Sequence, residues 1–286
     1  SINSLAISSQ GQTSVVGISG NTLTINATNA NGNAVGNGIT MAAGAGSLAI
    51  SSAVVLAANQ TWTNLSSNTL AVTGAISGGT SSLALTGAAN SRFTLGGANT
   101  FTGGLTLNTG TLNINSASAI GTGTFVIAGA SNATIDNTSG APVSNTNTNI
   151  QNWNSNFTFA GSNALNLGSG AVTLNSNRTV TVTANTLTVG GSVTSSTIGG
   201  FNLTKAGAGN LVLTGAVATG TGGVTVSAGS LTLAGSNTYT GVTTVSAGTL
   251  NINNASALGT GTLVIINSGS LDKDRKSTRL NSSHRT

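Results

Sequence analysis

Hydrophobic and polar residues alternate in short triplets along most of the chain. In each triplet two large apolar residues flank one small or polar residue, as in Leu23–Ile25, Leu83–Leu85, Leu105–Leu107, Phe157–Phe159, Val180–Val182 and Leu231–Leu233. Strict alternation is typical of a strand with one buried face, because successive side chains point to opposite sides. Turn-forming glycine, asparagine and serine separate the triplets. The pattern therefore predicts an all-β protein made of many short strands.

The triplets recur at a nearly constant spacing. Leu211, Leu231 and Leu250 occupy equivalent places in three successive units, as do Val224 and Thr243 in two of them. Such a period fits a chain that winds once and then stacks each coil on the one before it. We therefore predict a single β-solenoid with coils of about 19–22 residues, in which about thirteen coils stack at about 4.8 Å.

A longer internal repeat supports this prediction. Residues 97–127 and 235–265 align without a gap at an offset of 138, and 21 of the 31 positions are identical. Upstream, Asn68–Gly74 matches Asn185–Gly191 at an offset of 117, so the two offsets differ by the length of one coil. A solenoid tolerates copies that differ by whole coils, because each coil contacts only its neighbours.

Residues 1–272 are predicted to form one solenoid region with an irregular part. The stretch at about 129–156 is poor in triplets and holds Pro142, the single proline of the chain. We interpret it as a protruding or loosely wound stretch inside one solenoid rather than as a linker.

The last fourteen residues differ sharply from the rest. Residues 273–286 hold five of the eight Lys and Arg residues and the single histidine, His284. The segment DRKSTRLNSSH resembles translated read-through of a sequencing adapter, and the alternative is a natural, disordered basic tail. The net charge of +5 therefore describes the tail. It gives no support for nucleic-acid binding, which needs a dense basic face.

Composition leaves little material for catalysis. The chain has no cysteine and three acidic residues, and Asp136 is the only acid before residue 272. Glycoside hydrolysis usually needs two carboxylates, and calcium sites need several oxygen ligands. We interpret Asp136 as a turn residue at a corner and Lys205 and Arg178 as solvated surface charges. No catalytic, cofactor-binding or metal-ligating residue is expected, and no cofactor.

A few other side chains allow two interpretations. Trp62, Trp153 and Tyr239 could contact sugar, although isolated aromatic residues more often pack or cap. Two pairs at matching places of the repeat, Asn113 with Asn115 and Asn251 with Asn253, could form corner ladders or lie in solvated turns. Thr-x-Thr pairs could bind ice if they stacked into a flat array, but they are irregularly spaced.

Two segments carry a family resemblance. Both resemble the autotransporter-associated β-strand repeat of bacterial type V passenger domains. The first is GSNTYTG together with SAGTLNINNASALGTGTL, and the second is Leu203–Leu213 (LTKAGAGNLVL). The resemblance covers roughly residues 60–127 and 153–271. It implies a right-handed parallel β-helix that is exported and displayed outside the cell, with no catalytic residues of its own. It also implies an outer-membrane β-barrel translocator in the full-length protein, which this sequence lacks, as it lacks a signal segment.

The expected function is therefore structural. We expect a non-enzymatic stalk segment of a secreted or surface-displayed bacterial protein, extracellular and associated with the outer membrane in its full-length form. It would support adhesion or surface display, with host or environmental glycans or proteins as partners and no nucleic acid. The alternatives are a non-catalytic part of a β-helix carbohydrate-active enzyme, or a carbohydrate- or ice-binding surface.

Overall fold

A computed structural model describes residues 1–8, 15–30, 32–129 and 133–273, and every regular element within them is a β-strand. The first eleven strands are β1 (Leu5–Ile7), β2 (Val16–Ile18), β3 (Leu23–Ile25), β4 (Asn37–Met41), β5 (Leu48–Ile50), β6 (Val54–Leu56), β7 (Gln60–Asn64), β8 (Thr69–Val72), β9 (Ile76–Ser77), β10 (Leu83–Gly87) and β11 (Arg92–Leu95). The next nine are β12 (Leu105–Ile114), β13 (Phe125–Ile127), β14 (Ala133–Asp136), β15 (Val143–Ser144), β16 (Gln151–Trp153), β17 (Phe157–Phe159), β18 (Leu165–Asn166), β19 (Val172–Leu174) and β20 (Arg178–Val182). The last nine are β21 (Thr186–Val189), β22 (Val193–Ser195), β23 (Leu203–Ala206), β24 (Asn210–Leu213), β25 (Val217–Ala218), β26 (Val224–Val226), β27 (Ser230–Leu233), β28 (Thr243–Ile252) and β29 (Leu263–Lys273). These ranges contain no helix that is long and apolar enough to cross a membrane.

The strands stack in parallel into three faces, and the chain visits face 1, face 2 and face 3 in turn. Face 1 holds β1, β4, β7, β10, the first half of β12, β13, β16, β19, β22 and β25. Face 2 holds β2, β5, β8, β11, the second half of β12, β14, β17, β20, β23, β26 and the first halves of β28 and β29. Face 3 holds β3, β6, β9, β15, β18, β21, β24, β27 and the second halves of β28 and β29. The predicted all-β parallel solenoid is confirmed.

The solenoid has about 11 turns, fewer than expected. Most turns advance the chain by close to the predicted coil length, as from Leu211 to its partner Leu231. Several advances are longer, as from Arg178 to its partner Leu203, and the longest is from Leu5 to its partner Ile39. The extra corner residues in these turns reduce the number of turns that the chain can make.

A predominantly apolar lumen holds the three faces together. Strands such as β16, β17 and β19 show the buried, half-buried, buried pattern that alternation predicts. Each fully buried Leu, Ile, Val or Phe contributes about 1.5–3 kcal/mol. Corners need glycine where turns approach closely: at Gly248 φ is +82°, and a Cβ would lie 2.2 Å from the carbonyl oxygen of Gly229 on the preceding turn.

The internal repeat is displaced by one face between its copies. Leu105 opens the strand of the first copy on face 1, whereas the aligned Thr243 of the second copy lies on face 2. Thr69 and the aligned Thr186 lie on face 2 and face 3, so the upstream match shows the same displacement. The two offsets do differ by one turn, as expected, but each also contains an additional third of a turn. The repeat therefore fits any face, because all three faces offer the same apolar lumen.

The stretch 129–156, expected to be irregular, contains three strands that continue the faces. β14 pairs with β17 on face 2, β15 with β18 on face 3, and β16 with both β13 and β19 on face 1. The expected basic tail lies beyond the described residues, apart from Lys273 at the end of β29.

Candidate functional site: buried polar side chains at the corners

Polar side chains reach into the lumen at several corners and bind backbone groups of adjacent turns. Asn64 is fully buried, and its Nδ2 donates to the carbonyl oxygen of Asn68 in its own corner (2.8 Å) and of Arg92 on the next turn (3.1 Å). Its Oδ1 accepts the backbone N–H of Ser66 (3.0 Å). Because buried backbone carbonyls are costly without a donor, such a side chain joins two turns where no strand pairing is available.

Asn99 and Asn237 perform the same task at matching places of the two repeat copies. Asn99 Oδ1 accepts the N–H of Ile76 on the turn before (2.7 Å), and its Nδ2 donates to the carbonyl oxygen of Ala119 on the turn after (2.6 Å). Asn237 makes the equivalent contacts, to the N–H of Val217 (2.7 Å) and the carbonyl of Ala257 (2.5 Å). Each lies on a turn that has no strand on the face that the asparagine occupies. A single side-chain amide therefore provides the hydrogen bonds between three successive turns that backbone strand pairing would otherwise provide.

Asn99→Ala is expected to destabilise the solenoid by about 2–5 kcal/mol, because it leaves a buried N–H and a buried carbonyl without partners. Urea unfolding followed by circular dichroism measures the loss. Asn115→Ala is the control, since the bonds of Asn115 with Thr138 are exposed, and it should cost less than about 1 kcal/mol. Equal losses in the two variants would mean that the lumenal amide has no special role.

Lys205 is the largest departure from expectation. Its side chain lies in the lumen with no exposed surface. Its Nζ donates to the carbonyl oxygens of Ala206 (2.9 Å) and Gly207 (2.7 Å), and to that of Ala228 on the next turn (3.1 Å). Burial lowers the pKa of Lys205 to about 8, because the charged ammonium loses its hydration. The interpretation as a solvated surface charge is wrong, and alternation with Leu203 was the signal that placed this lysine inward.

Arg178 is half-buried rather than fully solvated. Its Nε donates to the carbonyl oxygen of Trp153 on the preceding turn (2.8 Å), and its guanidinium also contacts Asn175 and Asn177. Burial lowers its pKa. Arg178 therefore joins two turns at the corner before face 2.

Asp136 lies at a corner and is satisfied by the protein itself. Its Oδ1 accepts the backbone N–H of Asn137 (2.8 Å) and of Ser162 on the next turn (2.8 Å). Its Oδ2 accepts the hydroxyl of Ser162 (2.6 Å). The described residues contain no group of three His, Cys, Asp or Glu side chains that could hold a metal ion. Asp136 therefore has a structural arrangement, with its carboxylate directed at neighbouring backbone.

The three aromatic candidates pack in the lumen. Trp62 and Trp153 are fully buried, and each indole Nε1 donates to a glutamine two residues earlier, Gln60 (2.9 Å) and Gln151 (3.3 Å). The hydroxyl of the buried Tyr239 lies 2.6 Å from that of Thr243. Burial raises the pKa of Tyr239 to about 12. None of the three rings is available to stack on a sugar.

Side chains of the paired asparagines, for which the sequence leaves corner ladders and solvated turns both open, bond to adjacent turns in a different form. Asn113 Nδ2 donates to Thr94 (2.9 Å) and Asn251 Nδ2 to Ser230 (2.8 Å), so these amides bond to hydroxyl groups of adjacent turns. Asn115 Oδ1 accepts the N–H of Thr138 (2.9 Å). Inter-turn bonding is therefore present, but the partners are hydroxyl and backbone groups, not other asparagines.

Threonines form two columns on face 2. One column comprises Thr111, Thr134, Thr158 and Thr181, and the other Thr179, Thr204, Thr225 and Thr244. They overlap only in β20, so on this face a paired Thr-x-Thr array extends over one turn. A flat two-column surface of the kind that ice binding needs is not formed there.

Comparison with known families identifies the repeats. Three segments, residues 90–114, 203–231 and 227–252, match the model of the passenger-associated transport repeat. No curated protein and no solved structure matches the chain. The chain is thus a parallel β-solenoid in which three segments are similar to an autotransporter passenger repeat, in agreement with the resemblance seen in the sequence.

Proposed function

We propose that the chain is a non-enzymatic stalk segment of an exported bacterial passenger, which holds an adhesive or displayed part away from the cell surface. The observation that carries this proposal is the use of polar side chains. The lumenal amides of Asn64, Asn99 and Asn237 and the ammonium of Lys205 each make at least one hydrogen bond to a backbone group of an adjacent turn. Such bonds make each turn part of one continuous rod.

The charge distribution also favours a structural role. The carboxylate of Asp136 accepts three hydrogen bonds from the protein, which leaves it poorly placed as a general acid or base. Exposed surfaces are rich in threonine, asparagine and serine, which suits display next to neutral glycans or proteins of a host or an environmental surface. Before residue 271 the chain carries only three cationic side chains, of which Lys205 is buried, so nucleic acid is not among the proposed partners.

Two measurements test the proposal. Small-angle scattering should give an elongated particle, with about 11 turns spanning about 50 Å at the usual strand spacing. The purified chain should show the circular dichroism of β-structure and no hydrolase or lyase activity on a panel of polysaccharides. Reproducible turnover that disappears in Asp136→Asn would refute the structural role.

A further inference from the structure

Three exposed asparagines occupy the same corner on three consecutive turns. Asn156, Asn177 and Asn202 each immediately precede a strand of face 2, and each is followed two residues later by threonine. Asn-x-Thr, where x is not proline, is the acceptor sequence for N-glycosylation. We call these three residues the corner asparagines.

Each corner asparagine is fixed by its oxygen and free at its nitrogen. The Oδ1 atoms accept backbone N–H groups of the following turn, from Thr179 (2.8 Å), Asn202 (2.9 Å) and Gly223 (2.6 Å). Their Nδ2 atoms have no hydrogen-bond partner among the described residues, and all three side chains are exposed. A substituent on Nδ2 would leave the inter-turn bond intact.

We propose that the corner asparagines are N-glycosylation acceptors that take a hexosyl group from a sugar-nucleotide donor. In the transfer, the bond between the sugar C1 and the donor phosphate breaks and a bond from C1 to Nδ2 forms. The nucleoside diphosphate leaves, and the amide proton passes to the transferase or to solvent. This inference goes beyond the stalk role and does not depend on it.

Strand geometry presents each acceptor together with its threonine. Residues i and i+2 of a strand lie on the same side of the sheet. Thr158, Thr179 and Thr204 are accordingly half-buried on the outer side of face 2, next to the exposed amides. An enzyme that must contact both the amide and the hydroxyl can therefore reach both from solvent.

Among the described residues, the same sequence signal also occurs at Asn26 and Asn254 and at three further asparagines, of which the fold excludes two. Asn64, followed by Ser66, and Asn137, followed by Ser139, are buried, and each spends Nδ2 on two carbonyl oxygens. A sugar there would break both bonds and enter the lumen. Asn59, followed by Thr61, is exposed and has its Oδ1 on the N–H of Ser82 (2.9 Å), so it is an isolated site of the permitted kind.

To test the proposal, the folded chain is incubated with UDP-glucose and a soluble asparagine glycosyltransferase. Peptide mass spectrometry then measures the fraction of each asparagine that carries a hexose. Synthetic peptides that span the same sequences serve as unstructured acceptors. We expect hexose at Asn59 and at the corner asparagines in both forms. Occupancy at Asn64 and Asn137 should be at least about tenfold lower in the folded chain than in the peptides, because modification requires opening buried hydrogen bonds.

Thr179→Val is the matched control. It removes the hydroxyl of one acceptor sequence but keeps the backbone N–H that binds Asn156. Hexose should be lost from Asn177 and retained at Asn156 and Asn202, with unchanged circular dichroism. The proposal is overturned if the peptides are modified and the folded corner asparagines are not. It is also overturned if Asn64 is modified as readily as Asn177 in the folded chain, or if no peptide is modified while a reference acceptor peptide is. None of these outcomes bears on the scattering or turnover measurements that test the stalk role.

Discussion

Leu250→Asp is expected to unfold the turns on both sides of Leu250. The leucine is fully buried and lies in register between Leu231 and Leu271. The substitution loses about 1.5–3 kcal/mol of apolar burial and places an unpaired carboxylate in the lumen, at a further cost of several kcal/mol. That sum approaches the whole stability of an ordinary domain, about 5–15 kcal/mol. Thermal melting by circular dichroism should show loss of β-signal at a much lower temperature.

Thr249→Asp is the matched control for this prediction. Thr249 is the preceding residue on β28, points outward, and contacts Ser270 across the turn (3.0 Å). The same charge one residue earlier faces water, so the melting temperature should change little. If both variants melted alike, Leu250 would not face an apolar lumen.

Alternation made the fold predictable because one period controls every strand. A two-residue period assigns Leu203, Lys205, Leu211 and Leu213 to the lumen without reference to a structure. Leucine is expected to obey this rule, whereas lysine is expected in solvent because charged side chains are almost never fully buried. The structure shows that the period outweighs the residue type here, because three carbonyl oxygens replace the water around the ammonium.

The corner contacts could not be predicted in the same way. Asn99 and Asn156 each follow small or polar residues and precede an aromatic residue within two positions, and Asn64 alternates with Trp62 in β7, so the local pattern does not reveal the partners of any of the three. Asn99 bridges three turns, Asn156 is exposed with a free Nδ2, and Asn64 is buried with its Nδ2 between two carbonyl oxygens. The difference depends on which backbone groups of the next turn lack a strand partner. That depends in turn on corner lengths, which a local pattern does not determine.

The same limit explains the displaced repeat. Sequence similarity gives the two offsets between the repeat copies but not how many faces each offset crosses. The count depends on the length of every intervening corner, including the long advance from Phe125 to Gln151. In the stacked solenoid, a surface that the first repeat copy presents on face 1 is presented by the second copy on face 2. The solenoid therefore presents related surfaces in two directions.

Stability is expected to rise between about pH 8 and pH 10 because of Lys205. Its pKa is lowered from 10.5 to about 8 in the folded chain. In this window the unfolded lysine still holds a proton that the folded lysine has lost, so the unfolded state binds more protons and stability rises with pH. The slope contributed by one such group is at most about 1.4 kcal/mol per pH unit. Urea unfolding at half-unit pH intervals measures it, and Lys205→Met should abolish the rise.

Above about pH 10 the trend is expected to reverse because of Tyr239, the only tyrosine. Its pKa is raised from 10.0 to about 12, so here the unfolded residue loses its proton first and stability falls as pH rises. Tyr239→Phe keeps the buried ring, gives up the contact with Thr243, and should remove this fall while leaving the rise from Lys205 in place. The two variants thus separate the two sides of one stability maximum. A wild-type profile that stays flat from pH 8 to 12 would contradict the burial of both side chains, and a rise that survives in Lys205→Met would assign the rise to another group.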